Sequence, residues 1–508
     1  MVIKTFSSAV EGFQGAKVQI EAISLNALPN IYMTGLPGEV VKESRERVIA
    51  CLVNLGFDIP TSKILVHLSP ANIKKTGSHY DLAIALAVLS AESRMLQCNL
   101  SKTGFLGELS LDGTLRPVRG ALPLIEVLVA DPTIQIVIIP KGNTREGSIL
   151  KSEKIRVAET IEQVLLFLRE QDTLETCPAL AYQTAKVKNN IFDQVRGQTI
   201  AKRAVQIALA GRHHLLLVGK PGVGKSMISS AAVELLPPLC HEEFIEVMKV
   251  YSSSAVETDS FIETKQRPYR SPHHTISSSA LLGGGGGTLW PGEISLAHHG
   301  VLFLDEFPEF RRDAIEGLRE PLQSGVLHLN RIGKSASFPA RMTLIAAMNP
   351  CPCGMLSTRD NRCRCSPEKK AQYRKKLSTP ILDRIGLMVN MSEQNLGLER
   401  PSDIDFSTVR ESIEYAFEKQ AHRYKKLPGI FGNGMVPNCR NLEDFHLDHK
   451  SEDWLKVKQK EFGLSLRRIG QLINIARTIA DVERKENISL DHVLESWGLR
   501  CFDFYQPS

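Results

Sequence analysis

The sequence has no apolar run approaching the ~18 consecutive residues that a membrane-spanning helix needs. Residues 1–13 carry neither a basic start nor a long apolar segment, so the expectation is a soluble, cytoplasmic chain without a secretory leader. Net charge is also scarce. Sixty-two Lys and Arg against 56 Asp and Glu leave +6 in 508 residues, so a polyanion site must come from local clustering and not from a whole-molecule field. Ten cysteines in this length exclude a disulfide-dense scaffold. Six of them, Cys51, Cys98, Cys177, Cys240, Cys439 and Cys501, lie scattered in apolar or mixed segments and are expected to be buried thiols; the other four cluster. There is no internal repeat, and no low-complexity tract apart from the glycines at 283–287.

At ~150 residues per domain the length suggests about three domains, and three regions separate. Residues 1–170 alternate short apolar runs at 18–23, 64–68 and 134–139, read as strands, with amphipathic segments read as helices. Over 40–55, Val41, Val48, Ile49, Leu52 and Val53 fall near one helical face against Lys42, Glu43, Arg45 and Glu46; Asp81 opens a second helix through residue 91. Residues 171–190 lose the periodicity and read as a linker. From 191 to 395, apolar strands at 215–218, 301–304 and 343–348 alternate with helical stretches, the pattern of an α/β nucleotide-binding sheet. Residues 396–508 turn mostly helical, 472–482 most clearly. The expected fold class is an α/β multidomain chain.

Gly219-Lys220-Pro221-Gly222-Val223-Gly224-Lys225-Ser226 is a G-x-x-x-x-G-K-[ST] phosphate loop, entered from an apolar strand and followed by a helix-like stretch that Pro237-Pro238 stops. The glycines let backbone N–H groups wrap phosphates at the positive end of the helix. Lys225 is expected to reach the β- and γ-phosphates of ATP, and Ser226 to offer its hydroxyl to Mg²⁺. About eighty residues on, Gly300-Val301-Leu302-Phe303-Leu304-Asp305-Glu306 reads as a strand ending in two acids. Asp305 is expected to hold Mg²⁺ through water, and Glu306 to orient and deprotonate the attacking water. The strand at 343–348 ends in Asn349, a neutral polar group where a sensor of the γ-phosphate is wanted. Ile381-Leu382-Asp383-Arg384-Ile385 offers one arginine after an apolar turn. Charge developing on a transferred phosphoryl group calls for a cation, so Arg384 is expected to serve a neighbouring subunit; the alternative is an Asp383–Arg384 surface ion pair.

The stretch at 251–297, rich in Ser, His, Pro and Gly, is not expected to form a core strand or helix. Within 325–340, two short strands meet across Arg331-Ile332-Gly333-Lys334, a hairpin with a basic tip. Arg331 and Lys334 are candidate contacts to DNA phosphates, against an ordinary solvated hairpin. The pairs His213-His214, His273-His274 and His298-His299 are expected to be structural, because none shows ligand spacing with other residues. Cys351, Cys353, Cys363 and Cys365 make a C-x-C-x9-C-x-C loop, a candidate tetrahedral site for structural Zn²⁺. Around it, eight Lys or Arg between 359 and 376 face only Asp360 and Glu368, a second candidate nucleic-acid contact or a solvated charge run.

Taken in order, these residues resemble AAA+ ATPases and, more narrowly, the magnesium-chelatase-like family that includes YifB and ComM. The strings that carry the resemblance are Gly35-Leu36-Pro37-Gly38, Lys42-Glu43-Ser44-Arg45-Glu46-Arg47-Val48, Arg270-Ser271-Pro272-His273-His274, Pro291-Gly292-Glu293-Ile294-Ser295-Leu296-Ala297-His298 and Ala476-Arg477-Thr478-Ile479-Ala480-Asp481. It covers nearly the whole chain. It implies an AAA+ core at 191–395 with a helix-2 insert (251–297) facing the pore of a ring, a pre-sensor hairpin (325–340), the four-cysteine loop (351–365) and a helical lid (396–508). It also implies Arg384 as arginine finger and Arg467, in Ser465-Leu466-Arg467, as the lid's sensor arginine, with neighbouring Arg468 leaving that assignment open by one residue. Gly386 stands where the family's Asp-Arg-Ile motif usually continues with another acid.

Residues 1–170 resemble the Lon-type (ribosomal S5 domain 2-like) α+β domain through Lys74-Lys75-Thr76-Gly77-Ser78-His79-Tyr80-Asp81, Gly107-Glu108-Leu109-Ser110-Leu111-Asp112-Gly113 and Gly120-Ala121-Leu122-Pro123-Leu124. His79 falls where the Lon pattern has its nucleophilic serine and Leu124 where it has its lysine. The region is therefore expected to lack Ser–Lys peptidase chemistry and to serve as a DNA-binding or ring-forming platform. The resemblance implies an ATP- and Mg²⁺-dependent hexameric motor on single-stranded and branched DNA, carrying out branch migration of recombination intermediates in natural transformation. Two alternatives stand beside it. One is a chelatase-type ATPase that remodels a partner for metal insertion, against which residues 1–170 argue. The other is an ATP-dependent scaffold, against which Glu306, Asn349 and Arg384 argue.

Overall fold

The computed structural model describes residues 2–58, 61–93, 100–179, 191–195, 197–254, 264–285, 289–331, 334–356, 363–391, 405–427, 429–437 and 445–500. Cys98, Cys439, Cys501, residues 180–190 of the expected linker and 357–362 of the cysteine loop fall outside them. The chain divides into two units. One comprises Met1–Gln183, Phe244–Thr264 and Asn330–Ala336; the other comprises Thr184–Glu243, Lys265–Leu329 and Ser337–Ser508.

The first unit is built on an eight-stranded sheet ordered Glu175–Thr176, Ile155–Ala158, Ile136–Pro140, Thr103–Phe105, Ile3–Glu11, Gln14–Leu25, Lys63–Ser69, Asn30–Thr34. Ile3–Glu11 and Gln14–Leu25 pair antiparallel across Gly12-Phe13, where Gly12 takes φ 68. The period of two puts Val18, Ile20 and Ala22, and across from them Ile64, Val66 and Leu68, into one core. Helix Asp81–Ser93 packs on that face, its residues Leu82 to Val88 buried all round. In helix Glu39–Asn54 the buried positions are Val41, Ser44, Val48, Cys51 and Leu52. Val53, expected inward, is exposed, because one step of about 100° past Leu52 carries it off the buried stripe.

Two of the strings singled out in the sequence meet here. Arg47 donates to both oxygens of buried Asp81, at 2.9 and 3.1 Å. The residues at the Lon-like positions are otherwise engaged. His79 is buried with Nε2 on the Ser8 carbonyl at 2.9 Å, and burial pushes its pKa down to about 4. Leu124 lies in an apolar cluster. Lys75 donates to the carbonyls of Gly35 and Pro70, and Ser78 to Glu108. Strand Glu175–Thr176 pairs with Ile155–Ala158, so the chain stays in this sheet past 171, where a linker was expected to begin. Of the scattered cysteines, Cys51 is buried as expected, but Cys177 is half-buried and Cys240 exposed.

The second unit contains a five-stranded parallel sheet ordered Tyr269–Arg270, Val301–Leu304, Thr343–Met348, Leu215–Gly219, Leu387–Met391. Its strands read as unbroken apolar runs because both faces are covered. Leu215, Leu217, Val301, Phe303, Ile345 and Ala347 face helices Thr199–Gly211, Lys225–Leu235, Phe406–Tyr424 and Leu466–Val482. The alternate residues Leu216, Val218, Leu302, Leu304, Leu344 and Ala346 face a second cluster with Phe307, Ile315, Tyr373 and Ile381. The segment 251–297 departs from its expectation: it supplies the edge strand Tyr269–Arg270 and short helices Ser278–Leu282 and Glu293–Leu296. Bidentate pairing of Arg270 with Glu293, at 2.5 and 2.7 Å, fastens the edge strand to the last of these. The C-terminal helices begin at side-chain caps, with Asp405, Asp448 and Ser465 each accepting from the N–H three residues on.

One buried carboxylate joins four parts of this unit. Arg212, ending helix Thr199–Gly211, and Arg267 both donate to Glu243, the latter at 2.7 Å; Arg267 also donates to the carbonyls of Pro237 and His299. Burial opposes the Glu243 charge, but Arg212, Arg267 and His299 outweigh it and hold the carboxyl well below the usual range. Glu243→Gln should therefore destabilise the chain by about 3–5 kcal/mol at pH 7 by leaving two guanidinium groups without their counter-charge. With the folded pKa depressed, the stabilisation is fully present above the unfolded value of ~4.3 and fades as pH falls below it. Urea midpoints of wild type and Glu243→Gln should accordingly differ at pH 7 and converge towards pH 3.

Candidate nucleotide site

Parallel pairing in register brings three strand ends together. Val218 lies opposite Met348, and Leu304 opposite Ala346, so the phosphate loop, Asp305-Glu306 and Asn349 emerge side by side at the carboxyl edge of the sheet. That edge is where open α/β sheets bind ligands. Gly222 and Gly224 take φ 80 and 94, and a Cβ at either would meet nothing within 4 Å, so the loop presents an open backbone cradle. Gly219 is glycine for another reason: a Cβ there would crowd Met391 and Val223 at 3.0 Å. Gly224 caps helix Lys225–Leu235, whose first N–H groups face the loop.

Lys220 and Lys225 are buried, while Pro221, Val223 and Ser226 line the loop's more open side. The Lys225 ammonium donates to the carbonyls of Gly219 (2.6 Å) and Lys220 (2.9 Å) and to Asn349 Oδ1 (3.1 Å). Burial lowers its pKa, and Asp305 and Glu306 pull it back up. Ser226 donates its hydroxyl to Asp305 Oδ2 at 2.7 Å. The hydroxyl and carboxylate are the hard oxygen donors that Mg²⁺ takes, and the open amide cradle with a buried ammonium fits a polyphosphate. Glu306 sits at φ 51 with its side chain half exposed, and its Oε2 lies 3.0 Å from His274 Nδ1. Sequence reasoning missed this contact. His274 and Glu306 are thirty-two positions apart with no periodicity between them, and only the edge strand beside Val301–Leu304 brings them together.

Arg384 and Arg467 line one cavity of the same unit. Arg384 donates to the Pro380 carbonyl at 2.6 Å and to Gln323. Asp383 pairs with Arg468 at 2.8 Å and its carbonyl accepts from Gln471, so the expected alternative of an Asp383–Arg384 pair is not formed. This also separates the two neighbouring lid arginines: Arg468 is held by a carboxylate, and Arg467 lines with Arg384, Gln323 and Arg341 a cavity of about 1250 Å³. Burial, then the charges of Arg467 and Arg319, lower the Arg384 pKa. The buried Nε atoms of Arg319, Arg384 and Arg467 have no hydrogen-bond partner among the described residues. Neither Arg384 nor Arg467 is bonded to Lys225, Ser226, Asp305 or Glu306 in the described residues.

Two of the three histidine pairs are held in the framework: His213 Nε2 meets Thr478 Oγ1 at 2.7 Å, His214 Nδ1 accepts from Leu344 N–H, and His298 Nδ1 accepts from Arg341 N–H. The string at 476–481 is likewise structural, with Asp481 receiving Arg423 at 2.7 and 2.8 Å and Arg477 at 3.1 Å. Arg331 ends strand Val326–Arg331 and is exposed; Lys334 opens strand Lys334–Pro339, and its side chain lies outside the described residues. Cys351, Cys353, Cys363 and Cys365 do converge, with all four sulfurs within 4.8 Å of one another.

Three family descriptions match the chain in succession: "Subunit ChlI of Mg-chelatase" over residues 20–143, "Magnesium chelatase, subunit ChlI" over 191–397, and "Magnesium chelatase, subunit ChlI C-terminal" over 405–500. The uncharacterized protein YifB of Salmonella typhimurium is 38% identical over 501 residues, 97% of this chain and 96% of that protein. The competence protein ComM of Haemophilus influenzae is 37% identical over 508 residues, 98% of this chain and 97% of its own length. A third relative, an archaeal Lon protease of Thermococcus kodakarensis, is 34% identical over 168 residues, covering 31% of this chain and 26% of that protein. With the site geometry and matches along nearly the full length of two relatives, the chain belongs to the YifB/ComM family of magnesium-chelatase-like AAA+ proteins.

Proposed function

We propose that the chain hydrolyses ATP at sites completed between copies in a hexameric ring, and that it uses the energy to move single-stranded and branched DNA during branch migration of recombination intermediates. The observation that carries the ATPase reading is the pair of bonds Lys225–Asn349 and Ser226–Asp305, which gathers three strand ends around one open amide cradle. In this reading Gly219 to Ser226 hold the phosphates, Ser226 and Asp305 hold Mg²⁺, and a structural zinc ion sits on the four cysteines. Mg²⁺ held there would supply charge neutralisation as the phosphoryl group is transferred. Glu306 takes the proton of the attacking water, and Asn349 fixes the Lys225 ammonium on the γ-phosphate side.

Arg384 and Arg467 share one cationic cluster with unpartnered Nε groups and, among the described residues, are not bonded to their own chain's Lys225, Ser226, Asp305 or Glu306, which supports their acting together on a neighbour's nucleotide. The DNA reading draws on the near-full-length likeness to a relative named a competence protein, with natural transformation as the setting it suggests. Exposed Arg331 is the proposed contact to phosphates, together with Lys334 at the start of the next strand.

Glu306→Gln should retain ATP binding but slow hydrolysis by about 10²-fold or more. In the wild type, a three- or four-way DNA junction should stimulate hydrolysis and undergo strand exchange. An ATPase indifferent to every DNA form would overturn the DNA reading while leaving the ATPase reading intact.

Lys225→Ala and Arg384→Ala should each be nearly inactive alone. Mixed in equal amounts, they should recover activity at about a quarter of the interfaces, where an intact loop meets an intact Arg384 from its neighbour. Absence of any recovery in a mixture that co-assembles would rule out action between subunits.

A further inference from the structure

The four cysteines occupy a particular place in the fold. Cys351 follows the sensor residue by two positions at the end of strand Thr343–Met348, and Cys365 precedes Ser366, the cap of helix Pro367–Lys375. The described sulfur separations are 3.4 Å for Cys351–Cys353, 3.7 Å for Cys351–Cys363 and 3.8 Å for Cys353–Cys363. A disulfide would require ~2.05 Å. Four thiolates at ~2.3 Å from a tetrahedral zinc ion stand about 3.8 Å from one another. The spacing is that of an ion's coordination shell.

Packing around these sulfurs leads straight to the nucleotide site. A Cβ on Gly354, which has φ 75, would lie 2.7 Å from Pro221 Cδ, so the cysteine loop rests on the phosphate loop itself. On its other flank, the phenol oxygen of buried Tyr373 is hydrogen-bonded to the Asn349 backbone. Within the loop Cys353 and Met355 are exposed, while Cys351 is buried. Four thiolates around a divalent ion carry a net charge of about −2, released as up to four protons on binding. That charge would stand before the N-terminus of a nine-residue helix, next to Arg364, Lys369 and Lys370.

We propose that one zinc ion on Cys351, Cys353, Cys363 and Cys365 clamps Pro221 of the phosphate loop against the Asn349 sensor, so that zinc occupancy governs nucleotide binding and hydrolysis. The clamp's effect on hydrolysis rests on the reading of the chain as an ATPase; its effect on nucleotide binding, and zinc itself, do not. Three measurements on the full chain test it. Protein purified under reducing conditions without chelator should contain about one zinc per chain, and less than half an equivalent would overturn the site. Removing the zinc with a strong chelator should weaken binding of a fluorescent ADP analogue about tenfold, and added zinc should restore it. Unchanged affinity in zinc-free protein would overturn the clamp, as would full ATPase activity.

Cys363→Ser should lose the ion, and with it nucleotide affinity. Because that variant could also misfold, Gly354→Ala serves as the second variant. It keeps all four ligands but drives a methyl into Pro221, so zinc content should stay near one while ATPase falls about tenfold. Full activity in a zinc-loaded Gly354→Ala protein would overturn the clamp. Should the wild type bind nucleotide in a zinc-dependent way yet hydrolyse none, the ATPase reading fails and the clamp stands.

Discussion

Everything in the nucleotide site depends on the register of three neighbouring parallel strands. Leu215–Gly219, Thr343–Met348 and Val301–Leu304 supply none of the site's side chains; apart from Thr343 and Gly219 they are buried apolar residues. Because Val218 stands opposite Met348 and Leu304 opposite Ala346, the residues that follow are delivered to one edge within hydrogen-bonding distance of each other. A slip of one residue would turn each strand's side chains to the opposite face and exchange the two apolar clusters that cover the sheet. The core therefore positions the site: the same leucines that exclude water on each face hold Lys225 3.1 Å from Asn349.

Charge is used sparingly and at joints. Buried ions are costly unless paired, and in the second unit the buried ones sit where elements from distant parts of the chain meet. Glu243 receives Arg212 and Arg267 between a helix end, the edge-strand approach and the turn at His299. Asp481 receives Arg423 and Arg477 between two C-terminal helices, and nearby Arg203 makes part-exposed pairs with Glu483 and Glu495. Lys225 differs from these. Its ammonium is surrounded by oxygen dipoles and has no carboxylate within ion-pair distance among the described residues, and burial weakens its hold on the proton. A buried cation satisfied only by dipoles is poised to accept an anion at little reorganisation cost.

Much of this was legible in the sequence where the information is local. Strands Val301–Leu304 and Thr343–Met348 have the bounds their apolar runs suggested, because a strand covered on both faces is written as a continuous apolar run. The two-residue edge strand Tyr269–Arg270 was not legible, since two residues carry no periodicity and their neighbours read as loop. Val53 was misjudged because a helical stripe is narrow and 53 sits at its margin. The contacts that tune the site, His274 to Glu306, Arg468 to Asp383 and Gly354 to Pro221, join residues that only the folded chain brings together. A sequence can list such residues as unusual without saying which of them meet.

The arginine cluster gives the physical reason to look beyond a single chain. Arg319, Arg384 and Arg467 are near enough for their charges to depress Arg384, and each has a buried Nε without a partner among the described residues. Like charges held together in a part-buried place raise the energy of the chain, and an unsatisfied buried donor adds to it. Arg468, one residue along the same helix, shows the local remedy, a carboxylate at 2.8 Å. Arg384 and Arg467 are left without one, so the cluster stays open to an anion from outside it. The phosphate loop has the converse deficiency: its amides and ammonium call for a polyphosphate, while no arginine among the described residues is bonded to Ser226, Asp305 or Glu306. A cation cluster lacking an anion and an anion cradle lacking an arginine are the two deficiencies on which the proposal of a site shared between copies of the chain rests.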